Sequence, residues 1–188
     1  NREGAINIYA GTFKWDNFEI YTVNESREGV ITIYGGTFAK KPADEFIAAG
    51  YKAVESSGAW TVVPKNAIAT SNDLIAAINA ATDGDTLLLA PGEYSLRFTN
   101  NTDFNVDNLN IKGMDNAKLT VSSTEAWYGR VQGDNVTFEN IHFTSSVGAT
   151  GKATYKNCTF DKWAFCASSG NKETYFENCD IKDTLNTS

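Results

Sequence analysis

Two stretches of the chain repeat one alternation of apolar and polar positions almost letter for letter. Residues 5–13 read AINIYAGTF, and residues 30–38, 25 positions later, read VITIYGGTF. Each predicts a short strand rich in β-branched and aromatic residues, then a corner of small residues, then Thr-Phe. Glycine suits such a corner because it reaches backbone angles closed to other residues.

A second family of segments lies downstream. Residues 109–114 (LNIKGM), 136–141 (VTFENI), 153–158 (ATYKNC) and 174–179 (TYFENC) align without gaps, at steps of 27, 17 and 21 residues. A unit of roughly 20 residues carrying short strands is the period of a β-solenoid. The fourth position reads Lys112, Glu139, Lys156, Glu177. Stacked coil upon coil, these form one outward column of alternating sign, which favours this register. Ile141/Phe143, Cys158/Phe160 and Cys179/Ile181 suit an inward stack, with His142, Thr159 and Asp180 between them facing water. The fifth position reads Gly113, Asn140, Asn157, Asn178. Asparagine tolerates the left-handed region at a corner, and stacked amides can hydrogen-bond from coil to coil. Asn140, Asn157 and Asn178 are therefore expected to form a structural ladder.

Between the two families the period changes. In residues 71–81 (SNDLIAAINAA), Leu74, Ala77, Ile78 and Ala81 fall on one helical face. The helix is expected near 71–82, with Ser71 as its cap, Asp73 in its first turn and Gly84 ending it. A strand over 86–90 and a turn at Pro91-Gly92 follow. Upstream, 44–49 predicts a short helix. Residues 51–55 and 59–63 alternate around Ser56-Ser57-Gly58 and predict a hairpin.

The helix, Gly84-Asp85-Thr86 and Pro91-Gly92-Glu93-Tyr94 together resemble the opening of right-handed parallel β-helix proteins of the pectate-lyase-like type. The resemblance covers about 71–183. It implies an all-β fold, a right-handed parallel β-helix whose N-terminal end is plugged by the helix. It carries little about function, because many activities share this scaffold. The first 63 residues are similar to the closing part of repetitive bacterial surface proteins. The organisation expected is a solenoid-like β segment over 1–63, ending in a short helix and hairpin, and a parallel β-helix over 64–188. The boundary falls near 64–70. A solenoid ending thus precedes a solenoid beginning. Either the chain is cut from a longer array of modules, or the open C-terminal coil of one copy stacks on the open N-terminal coil of the next. The second arrangement is heterologous and builds a filament if its rotation does not close.

Composition narrows the function. The 188 residues carry 16 basic and 23 acidic side chains, a net charge of −7, which disfavours a nucleic-acid partner. No run of roughly 18 apolar residues is present, so insertion in a membrane as a helix is not expected. No secretory leader pattern opens the sequence. The single histidine excludes sites built on two, and no phosphate-binding glycine motif appears. No cofactor is expected. Cys158 and Cys179 fall at equivalent inward positions, either as a buried thiol stack or as a disulfide. His142 is expected to be solvated.

The resemblance also raises lyase chemistry, in which outward carboxylates hold calcium and a basic residue abstracts a proton. The candidates are Glu139, Glu177 and Asp180, with Arg130, Lys156 and Lys182 nearby. Lysines interleaved with the carboxylates weaken such a site, since calcium needs a dense oxygen cage. Trp127, Tyr128 and Trp163 lie in loops between coils, where flat rings can stack on sugars or cover the core. The function expected is a non-enzymatic extracellular structural or adhesive module at a bacterial cell surface. Its partners would be further copies of itself or adjacent modules. The alternative is a carbohydrate-active β-helix, a polysaccharide lyase or a glycan binder.

Overall fold

The computed structural model describes residues 4–14, 30–98, 106–115, 117–123, 129–131, 133–149, 151–162, 164–166, 173–183 and 185–186. Among the described residues the protein is all-β apart from one α-helix and a 3-10 turn, and it forms a β-solenoid of stacked parallel strands. Contacts divide it into two compact units, Asn1–Ala67 and Ile68–Ser188.

In the second unit three parallel sheets run along the coils. One stacks Thr86–Leu89, Asn110–Gly113, Val136–Glu139, Ala153–Lys156 and Thr174–Glu177. A second stacks Gly92–Phe98, Ala117–Ser123, His142–Phe143, Thr159–Phe160 and Asp180–Ile181. The third stacks Gly129–Val131, Val147–Ala149, Ala164–Cys166 and Leu185–Asn186. The register is the one the aligned segments imply: Val136 pairs with Ala153 and Ala153 with Thr174, while Lys112, Glu139, Lys156 and Glu177 share a column.

Because strand side chains alternate faces, in-register stacking carries each inward column through the core. Leu87, Ile111, Phe138, Tyr155 and Phe176 form one such column. Tyr94, Leu119, Phe143, Phe160 and Ile181 form another. Rings stack along each column, with centroids 5.3 Å apart for Phe138–Tyr155 and 5.0 Å for Phe143–Phe160. The two columns meet edge to face, at 5.3 Å for Phe138–Phe143. Both geometries suit the ring quadrupole and add about 0.5–1.5 kcal/mol per pair beyond burial.

The helix Ser71–Ala80 belongs to this unit and buries Leu74 and Ile78 in the same core. Its cap is Thr70, not Ser71: Thr70 Oγ1 accepts from the Asp73 amide at 3.1 Å and donates to Asp73 Oδ2 at 2.7 Å. Ser71 lies inside the helix, and its Oγ accepts from the Ser95 amide of the first coil. Two adjacent hydroxyls can each serve as a cap, and the coil takes one of them. The helix stops at Ala80, with Ala81 already extended, so Gly84 is not its terminator. Tyr94 ties helix entry to coil: its hydroxyl lies 2.6 Å from the Ile68 carbonyl and 2.7 Å from that of Ala90. Burial pushes this phenol up to about 12, with the Asp73 charge adding to the shift.

In the first unit, Ala5–Ile8 pairs in parallel with Val30–Ile33, and Thr12–Phe13 with Thr37–Phe38. The stacked pairs Tyr9–Tyr34 and Phe13–Phe38 have centroids 5.0 and 4.8 Å apart. Gly35 is required at the corner, because a Cβ there would collide with the Tyr9 carbonyl oxygen. The predicted short helix is a single 3-10 turn, Asp44–Phe46, and Ile47 then bridges to Ile33 as a partial third rung. The hairpin pairs Tyr51–Ser56 with Ala59–Pro64 through Ser57 and Gly58, both at positive φ, and adds antiparallel to Thr37–Phe38.

Burial falls toward the outermost rungs described. Phe138, Tyr155 and Phe160 are buried, whereas Phe176 and Ile181 are only partly covered. Phe160→Ala should therefore cost about 3–5 kcal/mol. Phe176→Ala should cost clearly less, read from urea midpoints at equal slope. Equal losses would contradict the gradient.

Candidate functional site

The outward face of the second sheet gathers the titratable side chains with the most evident mutual contacts. Phe143, Phe160 and Ile181 point inward, so residues one position to either side of each point outward. Two outward columns result. Lys118, His142, Thr159 and Asp180 share one by direct pairing. Thr120, Thr144, Asp161 and Lys182 continue the same register in the other, where amide bonds from Asp161 to Phe143 O and from Lys182 to Phe160 O hold the backbone.

Asp161 is the hub. His142 Nε2 lies 2.7 Å from its Oδ2, and Lys182 Nζ lies 2.8 Å from its Oδ1. The His142 side chain is only 30% exposed, and its Nε2 faces the Asp161 carboxylate. The lysine and then the histidine hold the Asp161 carboxyl down at about 2, and the carboxylate in turn raises Lys182. His142 is thus not the freely solvated ring the sequence suggests. Its partner comes diagonally from the neighbouring column rather than from Thr159 or Asp180. With both oxygens occupied, Asp161 is a tie between three successive coils.

The other carboxylates that lyase chemistry would need are similarly engaged or apart. Glu139 pairs with Lys112 at 2.9 Å and Glu177 with Lys156 at 3.5 Å, both on the first sheet, while Asp180 is on the second. Among the described residues no three His, Cys, Asp or Glu side chains converge to hold a metal. Trp127, Tyr128 and Trp163 lie outside the described residues, and the side chain of Arg130 does too.

Cys158 and Cys179 are free thiols stacked below Ile141. Each donates to backbone carbonyls, Cys158 to Lys156 O at 3.3 Å and Cys179 to Tyr155 O at 3.3 Å. Burial pushes the Cys158 thiol up to about 12, the signature of filler rather than of a nucleophile.

Asn140, Asn157 and Asn178 all sit at positive φ, 52° to 56°, as corner residues. Their coil-to-coil links run through the backbone, from Asn140 N to Lys156 O and from Asn157 N to Glu177 O. Gly113 fills the same position one coil earlier because a Cβ would collide with the Asn140 carbonyl. Side-chain bonds join coils at a different corner, which the sequence reading missed. Asn135 Nδ2 donates to Asn108 Oδ1 at 3.1 Å, and Asn108 Nδ2 donates to Asp83 Oδ1. Asp107 and Asp134 each accept the amide of the next coil, from Asp134 at 2.7 Å and from Lys152 at 2.8 Å. The signal was present: Asp107-Asn108 and Asp134-Asn135 recur at the same 27-residue step as the strands that follow them.

Comparison with protein-family models, curated proteins and solved structures found no match to this chain. No helix among the described residues is long and apolar enough to cross a membrane.

The Asp161 tie has a pH signature. A carboxyl held below its ordinary 3.8 stabilises the fold while ionised and loses that contribution as pH falls from 3.8 to about 2. Asp161→Asn should melt below the parent at neutral pH, and the gap should close through this window. A gap that persists unchanged at pH 2 would show that the charge is not the cause.

Proposed function

We propose that this chain is a non-enzymatic structural or adhesive β-solenoid module of an extracellular bacterial surface, and that its outermost rungs take the coil of another copy. The observation that supports this is the state of those rungs. Among the described residues, Ala5–Ile8 pairs along one edge only, with Val30–Ile33, and Thr174–Glu177 along one edge only, with Ala153–Lys156. Ile6 is 58% and Tyr9 68% exposed, whereas Ile31 and Tyr34, their equivalents one rung on, are half-buried, and Ile8 is half-buried over a fully buried Ile33. At the other rung Phe176, Cys179 and Ile181 are partly covered, while their equivalents Tyr155, Cys158 and Phe160 are buried.

Such edges are ready templates for another strand. The two are matched in form: each is a four-residue strand, a short corner and a two-residue strand. Stacking Ala5–Phe13 of one copy on the 174–181 rung of the next would satisfy both ladders and cover both apolar columns. The pectate-lyase-like resemblance fits this reading as architecture. Lyase chemistry gains no support, because Glu139 and Glu177 are held by lysines.

Light scattering over a dilution series, with negative-stain electron microscopy, tests the proposal. Mass should rise with concentration and filaments should appear. Ile6→Lys, which places a charge on the outermost rung, should abolish both without lowering the melting temperature. A concentration-independent monomer would remove the self-stacking reading.

A further inference from the structure

In the first unit, the 3-10 turn and the hairpin line a cavity of about 360 Å³. This falls in the range of about 300–1,000 Å³ typical of small-molecule sites. Its wall is apolar where Ile47 and Tyr51 contribute, and three lysines, Lys41, Lys52 and Lys65, stand around it with a single carboxylate, Asp44. The balance is the reverse of the whole chain, in which 23 acidic residues outnumber 16 basic ones.

The three lysines differ in what they touch. Lys41 is neutralised by Asp44 at 2.8 Å and lies 5.8 Å from the centre of the Trp60 ring. Lys52 donates to the Ala67 carbonyl at 2.7 Å, which fixes its ammonium in place, and it faces no carboxylate among the described residues. Lys65 is held by its backbone amide on Gly50 O, and its exposed ammonium has no partner among the described residues. The second unit contrasts sharply. There Lys112, Lys118, Lys152, Lys156 and Lys182 each face a carboxylate within 3.9 Å on a neighbouring coil. Lys52 and Lys65 thus bring two positive charges to the lining of one cavity, where an anion would offset both. An oxyanion there would accept charge-assisted hydrogen bonds from both.

We propose that this cavity is an anion-binding site for a small molecule carrying a carboxylate or a phosphate. The oxyanion sits toward Lys52 and Lys65, and an uncharged body of sugar size rests against Ile47 and Tyr51. The site is independent of the self-stacking rungs. It requires neither Ala5–Ile8 nor Thr174–Glu177.

The test is a titration of the isotopically labelled full chain by nuclear magnetic resonance, with four probes: galacturonate, glucose phosphate, inorganic phosphate and glucose. Saturable shifts confined to the amides around Ile47, Tyr51 and Lys65 are expected with galacturonate or glucose phosphate and not with glucose. Saturation by galacturonate assigns a carboxylate source. Saturation by the two phosphates alone assigns a phosphate source. Lys65→Glu, at an exposed position, should lower the affinity by about tenfold or more with an unchanged melt, and added salt should weaken binding. Three results would each overturn the proposal: no anion saturates, glucose binds as well as the anions, or Lys65→Glu binds like the parent.

Discussion

A parallel strand laid in register on its neighbour sets every side chain above its own equivalent one coil away, and the rest of this protein follows from that constraint. Inward columns must be apolar and of compatible shape throughout. Ring therefore stacks on ring, Phe138 on Tyr155 and Phe143 on Phe160. Outward columns must avoid like charges at strand spacing of about 4.8 Å. Lysine therefore alternates with carboxylate, Lys112 with Glu139 and Lys156 with Glu177. Corners must turn without a side-chain clash, so they carry Asn at positive φ or, at Gly113, no side chain at all.

The same constraint makes the structure unequal along its length. A rung with neighbours on both sides shares two hydrogen-bond ladders and two ring faces, and a rung with one neighbour shares half of each. The exposure of Ile6 and Tyr9 and the partial cover of Phe176 and Ile181 express this directly. In the second unit the helix relieves one side of the first coil: Leu74 and Ile78 join its core, and Tyr94 and Ser71 bond helix to coil. Exposed ion pairs such as Lys118–Glu93 each contribute little, about 0–1 kcal/mol. Their value lies in register, since a slip by one residue would also turn the inward rings to water.

Much of this was legible in the sequence because stacking writes itself as repetition. The four hexapeptides align in the register the structure has, and the alternating charges already favoured it. What escaped is what repetition does not encode. Asp161 binds His142 diagonally, across columns, and comes from outside the repeated hexapeptide. The cap could be assigned to Ser71 or to Thr70 on chemistry alone, and only the strand beside the helix decides. The side-chain amide bonds fell at Asn108 and Asn135 because those residues precede the aligned segments. The lysine cavity is invisible in the chain, since Lys41, Lys52 and Lys65 are brought together only by the hairpin and the turn before it.

Amide hydrogen exchange resolved along the chain, in dilute solution, tests the stacking account most directly. Protection reports how many neighbours hold a rung. The account predicts slow exchange for Val136–Glu139 and Ala153–Lys156, each paired on both sides. It predicts much faster exchange for Ala5–Ile8 and Thr174–Glu177, each paired on one side among the described residues. Uniform protection across all four strands, or outer rungs slower than inner ones, would contradict it.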